Sequence, residues 1–488
     1  MASFNLIAIL LAAVLAITVQ SIPTISVTGS KFFTSEGKQF YIKGVAYQLV
    51  ENDPLVDTAQ CQRDATLMQQ LGANSIRVYH VDPAADHNGC MNAFAQAGIY
   101  IWVDLDSFKT YIRLGDGPSW TQNKSDSFRA IMDNFQQYDN TAGFFVGNEV
   151  LNDITDSSSA PYLLSATVDL RAYGKSKGYR PIPIGYSATD TGALPMLADY
   201  LVCRENPEER LDFYALNSYR WCGQSTFETS GYNIILNSTE NYPVPIFFSE
   251  VGCNTVAPRD FGDQAAVFGP MADQWSGSII YEWIQEMNQY GLVSYGPQQD
   301  ASVNEGSSIV QGFTRQGTPT PIAPDFDNLK NQWATLSPTG IDSAAYAATV
   351  QTTAPACPAS TAGTSAWTID PRAALPTMDA AAISGMTSGS SFSVPSGGIT
   401  VPNSSGPSTT NAPGGSQTLS GEPSNLPSSG GNSATPASGS GSASGSASAT
   451  SQAAGSRTVP MPVEVNEALI IRTFLAIAGV SLGAMVLL

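Results

Sequence analysis

Positive charge is scarce in this chain. Lysine and arginine together number 22 against 41 aspartates and glutamates, a formal net charge of −19. No basic stripe interrupts that excess, so nucleic acid is excluded as a partner. Histidine is scarcer still, with only His80 and His87. Gly174 to Gly178 reads G-K-S-K-G and fits the nucleophile-elbow spelling, but that hydrolase order needs a histidine after the serine. Both histidines precede it. His80, Asp82, Asp86 and His87 fall in an expected loop and are not read as a metal site. None of the six cysteines stands in a C-x-x-C pair, which argues against zinc and redox motifs. No G-x-G-x-x-G follows the first strand, so the sequence does not support a dinucleotide-binding sheet. No metal or cofactor is expected.

Charge of either sign is missing near the C-terminus. Between Ala373 and Ser456 only Asp379 and Glu422 are ionisable, in a run of Ser, Thr, Gly, Ala and Pro. Such a segment buries too little apolar surface to offset the entropy of ordering, and it is expected to be a disordered linker over 361–454, suited to O-mannosylation.

Both ends carry apolar runs too short to span a bilayer. The first, in MASFNLIAILLAAVLAITVQSIP, is followed by small residues and reads as a secretory signal over 1–21, although no Lys or Arg precedes the run. The alternative is an N-terminal anchor. The last sixteen residues, Thr473 to Leu488, would reach about 24 Å as a helix, short of the ~30 Å hydrocarbon core. Small residues in SQAAGS and a polar spacer precede them. This is the pattern of a glycosylphosphatidylinositol (GPI) attachment signal, with attachment expected at Ala454 and removal of 455–488. The alternative is a true tail anchor. Asn123, Asn237 and Asn403 open N-x-S/T sequons, as expected of a chain passing through a secretory lumen. Cys61, Cys90, Cys203, Cys222, Cys253 and Cys357 then suggest three disulfides among fifteen pairings.

The remaining region, 22–360, alternates short β-rich runs with longer helix-like stretches. The runs are 40–47, 75–79, 99–105, 143–149, 182–188, 213–219, 245–250 and 278–283. Between them, 57–72 closes on a glycine, 125–138 opens with a cap residue at Ser125, and 158–178 is similar. Eight strands alternating with helices predict an α/β fold, a (β/α)8 TIM barrel. In such a barrel the strand C-termini share the catalytic face. The polar residues there are Tyr47, Gln48, Arg77, Tyr79, Asp104, Asn148, Glu149, Tyr186, Asn217, Tyr219, Glu250, Tyr281 and Glu282. Hydroxyls, amides and carboxylates without lysine or histidine suit a neutral polyhydroxylated ligand.

Glu149 and Glu250 end the fourth and seventh runs. A glycosidic bond is broken by one carboxylic acid that protonates the leaving oxygen and one carboxylate that attacks the anomeric carbon, so a facing pair can do both jobs. A single strand-end glutamate is more often a partner for arginine or a helix cap. Two of them, with Asn148 directly before the first, point to catalysis.

These motifs closely resemble the fungal β-1,3-glucanosyltransferases of glycoside hydrolase family 72. The matching words are GVAYQ (44–48), NSIRVYHVD (74–82), VGNEV (146–150), NSYRWCG (217–223), FFSEVGCN (247–254) and SGSIIYEW (276–283). The resemblance implies that Glu149 is the acid/base and Glu250 the nucleophile. It implies that Gln48, Tyr79, Asp104, Asn148, Tyr219 and Tyr281 line the sugar groove, with Tyr281 bonding the nucleophile. It further implies disulfides Cys61–Cys90, Cys222–Cys253 and Cys203–Cys357, and β-1,3-glucan donor and acceptor chains as partners. The absence of cysteine after Cys357 resembles the single-module subgroup, and family members are commonly lipid-anchored at the plasma membrane or in the wall. Tyr219, Trp221, Trp283 and Trp120 are the aromatic candidates for an acceptor groove. A plain glucan hydrolase and an inactive glucan-binding wall mannoprotein are the alternative functions.

Overall fold

The computed structural model describes residues 22–378, apart from 114–116, 192, 193, 351 and 362–366. The signal (1–21), most of the linker, Asn403, Ala454 and the anchor signal lie outside the described residues.

The chain opens with an antiparallel hairpin, β1 (Ile25–Thr28) and β2 (Lys31–Thr34). Eight parallel strands follow and close into a barrel: β3 (Ile42–Ala46), β4 (Ser75–Val78), β5 (Tyr100–Asp104), β6 (Thr141–Asn148), β7 (Ile184–Thr189), β8 (Phe213–Asn217), β9 (Ile246–Val251) and β10 (Trp275–Ile280). Neighbours in sequence are neighbours in space, and β10 pairs with β3 to complete the ring. Each strand falls within or overlaps one of the eight apolar runs, so the predicted barrel is the observed one. Connecting helices are α1 (Thr58–Leu71), α2 (Asn88–Gln96), α3 (Gln122–Phe135), α4 (Ala160–Lys177), α5 (Leu194–Val202), α6 (Tyr232–Ser238) and α7 (Asp263–Val267).

Local chemistry sets the helix ends. Asp57 caps α1 by accepting from the Gln60 amide at 3.0 Å, and Gly72 ends it in the left-handed region at φ 92°, where a Cβ is penalised. Helix α3 starts earlier than predicted. Its cap is Thr121, and Ser125 lies inside the helix, its hydroxyl donating to Asp169 at 2.7 Å.

Strand alternation sorts side chains into two cores. Outward residues such as Ile76, Val103, Phe144 and Phe248 pack under the helices. Inward residues, including Trp102, Phe145, Phe213 and Phe247, fill the barrel. The hairpin seals the end at which the strands begin. Phe32, wholly buried, packs edge-on against Trp102, Phe213 and Phe247 at ring distances of 5.2, 6.0 and 6.0 Å. The hydroxyl of Tyr100, the first residue of β5, donates to the Pro23 carbonyl at 2.5 Å.

Beyond β10 the chain makes two small strand pairs, β11 (Val293–Ser294) with β14 (Thr320–Pro321) and β12 (Ile309–Val310) with β13 (Phe313–Thr314). Helices α8 (Asp325–Thr335) and α9 (Ser343–Ala347) follow. The three disulfides are Cys61–Cys90, Cys203–Cys357 and Cys222–Cys253, the pairs the resemblance implied. The predicted boundary at 360 is too early. Trp367 is wholly buried with its ring 5.4 Å from Tyr200, and Arg204 donates to the carbonyls of Pro371 and Ala373. The Ser165 hydroxyl donates to Pro376 at 2.8 Å. Trp367, with Ile369, Leu375 and Met378, anchors a stretch whose average composition looks like linker.

Candidate active site

Strand β6 ends at Asn148, and Glu149 then adopts a left-handed backbone, φ 51°. A non-glycine residue held there carries strain of about 1 kcal/mol or more, of the kind found where a side chain must be re-aimed. The Glu149 amide donates to the Ser187 carbonyl at 2.8 Å, which fixes that turn while Val150 returns to the core. Glu149 is half-buried, and its carboxylate accepts from Asn217 Nδ2 at 2.8 Å.

Glu250 lies in β9 and is 6 % exposed. Tyr79 donates to its Oε1 at 2.9 Å and Tyr219 to its Oε2 at 2.7 Å. Arg77 Nη1 stands 3.4 Å from Oε1. Burial pushes the Glu250 carboxyl up to about 7; Arg77 opposes this, the Glu149 charge adds to it, and both tyrosine hydroxyls oppose it. Burial, with the Glu250 charge beside them, drives Tyr79 and Tyr219 well above the ordinary phenol range, so both remain donors at working pH.

Arg77 is the hub beneath the two acids. It is wholly buried, and Asp104 takes a bidentate pair from its Nε and Nη2 at 3.0 and 2.6 Å. Burial works against the guanidinium charge, but Asp104 more than offsets it. Its Nη2 also donates to Asn148 Oδ1 at 2.9 Å, so one guanidinium touches Glu250 and the residue before Glu149. Asn217 makes a second bridge. Its Nδ2 serves Glu149 and Asn148, and its Oδ1 accepts from the hydroxyls of Ser187 and Ser249, the latter adjoining Glu250. The glutamates therefore belong to one hydrogen-bonded site at the C-terminal mouth.

Asn148 can be oriented from its partners. Its Oδ1 faces Arg77 Nη2 and Asn217 Nδ2, groups that can only donate. Its own Nδ2 is thus turned away from the network and offers N–H donors on the partly exposed side.

The remaining predictions divide. Tyr79 and Tyr219 are both at the Glu250 carboxylate. Tyr281 flanks them instead of bonding the carboxylate, with its ring 6.4 Å from Tyr219 and 5.3 Å from Tyr290, both edge-on. Among the described residues the hydroxyls on Glu250 are those of Tyr79 and Tyr219. Asp104 is spent on Arg77 and is 1 % exposed, so it positions the site from below. The Gln48 amide is likewise spent, accepting from the Tyr79 and His80 amides and donating to the carbonyls of Val50 and His80. Tyr47 and Tyr186 turn outward into the helix layer, and the Tyr47 hydroxyl donates to Asp64. Trp120 and Trp283 are buried structural residues, packed on Phe128 and bonded to Tyr295 respectively, and drop out as acceptor platforms. Trp221 stays half-buried against Tyr232. Arg77 and Asn217 stand at the strand ends where the sequence puts them, but their bridging roles go beyond it; an arginine inside a barrel strand, with no outward route to water, is the available signal.

A strand-end carboxylate held by two tyrosines and an arginine, beside a second carboxylate on an asparagine, is the paired-acid arrangement that glycoside cleavage calls for. The glucanosyltransferase family model, glycoside hydrolase family 72, matches residues 14–313, and the chain belongs to that family. Among curated relatives, protein EPD1 of Candida maltosa is 40% identical over 67% of this chain and 58% of its own length. The 1,3-beta-glucanosyltransferase gas2 of Schizosaccharomyces pombe is 39% identical over 64% of this chain and 68% of its own. The chain spans between about half and two-thirds of the length of such relatives. A mutant of Saccharomyces cerevisiae Gas2p, solved in complex with laminaritetraose and laminaripentaose, superposes with TM-score 0.63 at 35% identity, covering 73% of this chain and 75% of that one.

Proposed function

We propose that this protein is a retaining β-1,3-glucanosyltransferase that remodels wall glucan. The observation that carries the reading is the cradle of Tyr79, Tyr219 and Arg77 around Glu250, with Glu149 in the same network. Glu250 attacks the anomeric carbon of a donor glucan as Glu149 protonates the departing oxygen; the glycosidic C–O bond breaks and a Glu250 ester forms. Glu149, now a base, takes the proton of an acceptor hydroxyl. That oxygen attacks the same carbon, and the ester bond to Glu250 breaks. Asn148 donates to a hydroxyl of the reacting sugar through its outward Nδ2. Attack by a sugar instead of water requires that an acceptor be held at high effective concentration. Tyr219 and Trp221 are the aromatic residues still available for that. The Gas2p complex with laminari-oligosaccharides is consistent with a β-1,3-glucan donor.

The decisive experiment incubates the enzyme with a reduced β-1,3-glucan oligomer and separates the products by size. Chains longer than the donor are expected. If all products are shorter, transfer is wrong and the protein is a hydrolase. Glu149→Gln and Glu250→Gln should each lower turnover by at least about a thousandfold; unchanged turnover would sink the site assignment.

The same proposal takes the protein through the secretory lumen, with signal removal near residue 21, to a GPI anchor near Ala454 on the outer plasma-membrane leaflet or onward into the wall. Supporting it, Asn123 on α3 and Asn237 on α6 are both exposed as glycan acceptors must be.

A further inference from the structure

We propose that Arg259 is a positioning residue through which helix α8 of the C-terminal extension sets the protonation behaviour of Glu250. The inference rests on Glu250 being the nucleophile. Arg259 stands in the loop after β9 and is 3 % exposed. Its guanidinium joins three segments. Nε donates to Asp325 Oδ2 at 2.8 Å, at the start of α8. Nη1 donates to the Tyr281 carbonyl at 3.1 Å, and Nη2 to the Gly291 carbonyl at 3.2 Å. The same stretch of α8 holds the Arg259 backbone: its amide donates to Asp325 Oδ1 at 3.2 Å, and Asn328 Nδ2 donates to its carbonyl at 2.7 Å.

The two carbonyls matter because of what their segments carry. Tyr281, and Tyr290 next to Gly291, press their rings edge-on against Tyr219, at 6.4 and 5.7 Å. Tyr219 in turn donates to Glu250 Oε2 at 2.7 Å. Tyr219 thus has its ring held by two neighbours whose backbone is fixed by one buried cation. The loop is drawn to the same point elsewhere: a Cβ on Gly252, at φ 128°, would meet the Tyr281 carbonyl at 2.9 Å. Among the described residues, the charged and titratable groups facing this assembly include Arg77, Glu149, Tyr79, Tyr281, Glu282, Glu286, Tyr290 and Asp325.

The sign follows from the hydrogen bond. Tyr219 donates to the ionised form of Glu250 and favours it. When the tyrosine is less well held, that form is favoured less, and a higher pH is needed before Glu250 can attack. The acid limb of kcat/KM against pH therefore moves upward.

The test measures that limb for wild type, Tyr219→Phe, Arg259→Gln, Arg259→Lys, Asp325→Asn and Leu329→Ala. Leu329 is a buried residue of α8 that serves as the packing control. Tyr219→Phe is expected to raise the limb by about one pH unit. Arg259→Gln should raise it by roughly half as much and Asp325→Asn in the same direction, with Arg259→Lys recovering part of the change. Leu329→Ala should lower the melting temperature and leave the limb in place. If Tyr219→Phe leaves the limb unmoved, the nucleophile reading fails. If Tyr219→Phe moves it while Arg259→Gln and Asp325→Asn do not, the coupling through Arg259 is wrong and the nucleophile stands. Should Arg259→Gln fail to fold, Asp325→Asn decides by the same criterion. An equal movement in Leu329→Ala would reduce the effect to general loosening and also overturn the proposal.

Discussion

Asn148 shows how one amide is aimed by its neighbours. Arg77 and Asn217 occupy its oxygen, so its nitrogen is left free of that network in a partly exposed residue. Asn148→Asp keeps the size and removes that donor. It also adds a negative charge beside two carboxylates. A fall in kcat of about a hundredfold is expected from loss of one preorganised donor, measured by steady-state turnover of a β-1,3-glucan oligomer. A fall below about threefold would mean the amide makes no contact in the transition state. Such orientation was not readable from the sequence. The chain showed Asn148 and Glu149 at a strand end, and that much was right. Which atom of Asn148 faces out depends on residues 71 and 69 positions away, Arg77 and Asn217. Gln48 and Asp104 misled for the same reason: polar residues at strand ends can be consumed by partners as easily as by ligand.

At the scale of elements, the barrel was legible because its signal is local. Each strand is a short β-rich run, and each run lies between stretches with caps and closing glycines such as Asp57 and Gly72. Loop clamps were not legible. His87, read only as a loop residue, is fully buried. Its Nε2 lies 2.7 Å from Asp53 and its Nδ1 2.9 Å from Asn134 Oδ1. Asn134 donates its Nδ2 to the carbonyls of Pro83 and Ala85, so its oxygen must face the ring. Both imidazole nitrogens therefore meet acceptors, which favours the doubly protonated form. Burial works to lower the His87 pKa, but Asp53 and Asn134 outweigh it and the net shift is upward. A raised folded pKa gives stability that is complete below the unfolded value, about 6.5, and is lost as pH climbs through the folded value. Wild type should exceed His87→Gln by about 1–3 kcal/mol at pH 5 in urea unfolding, and the gap should close toward alkaline pH. A gap constant from pH 5 to 9 would show that the ring is held by packing alone.

For the whole molecule, folded structure reaches past the composition boundary, to Pro376 and Met378 at the barrel surface. Composition averages over a window and cannot register a single anchoring tryptophan such as Trp367. The site was legible as a pair of glutamates because a (β/α)8 ring converts strand order into position. The coupling of α8 to the mouth was not, since it links residues 66 apart through Arg259 and Asp325. The anchoring reading is tested on intact cells: phosphatidylinositol-specific phospholipase C should release the protein in soluble form. Full retention on cells carrying a cleavable control protein would leave a tail anchor or wall attachment instead.

The Phe32 stopper has a consequence for traffic. With one end of the barrel corked by the hairpin, a polysaccharide cannot be reeled through the middle as through a ring. In the proposed transfer reaction, the departing fragment and the incoming strand must therefore share one doorway. Under the proposed double displacement, the covalent stage would serve as a holding position, keeping half of the old chain while its other half clears the threshold for the next arrival.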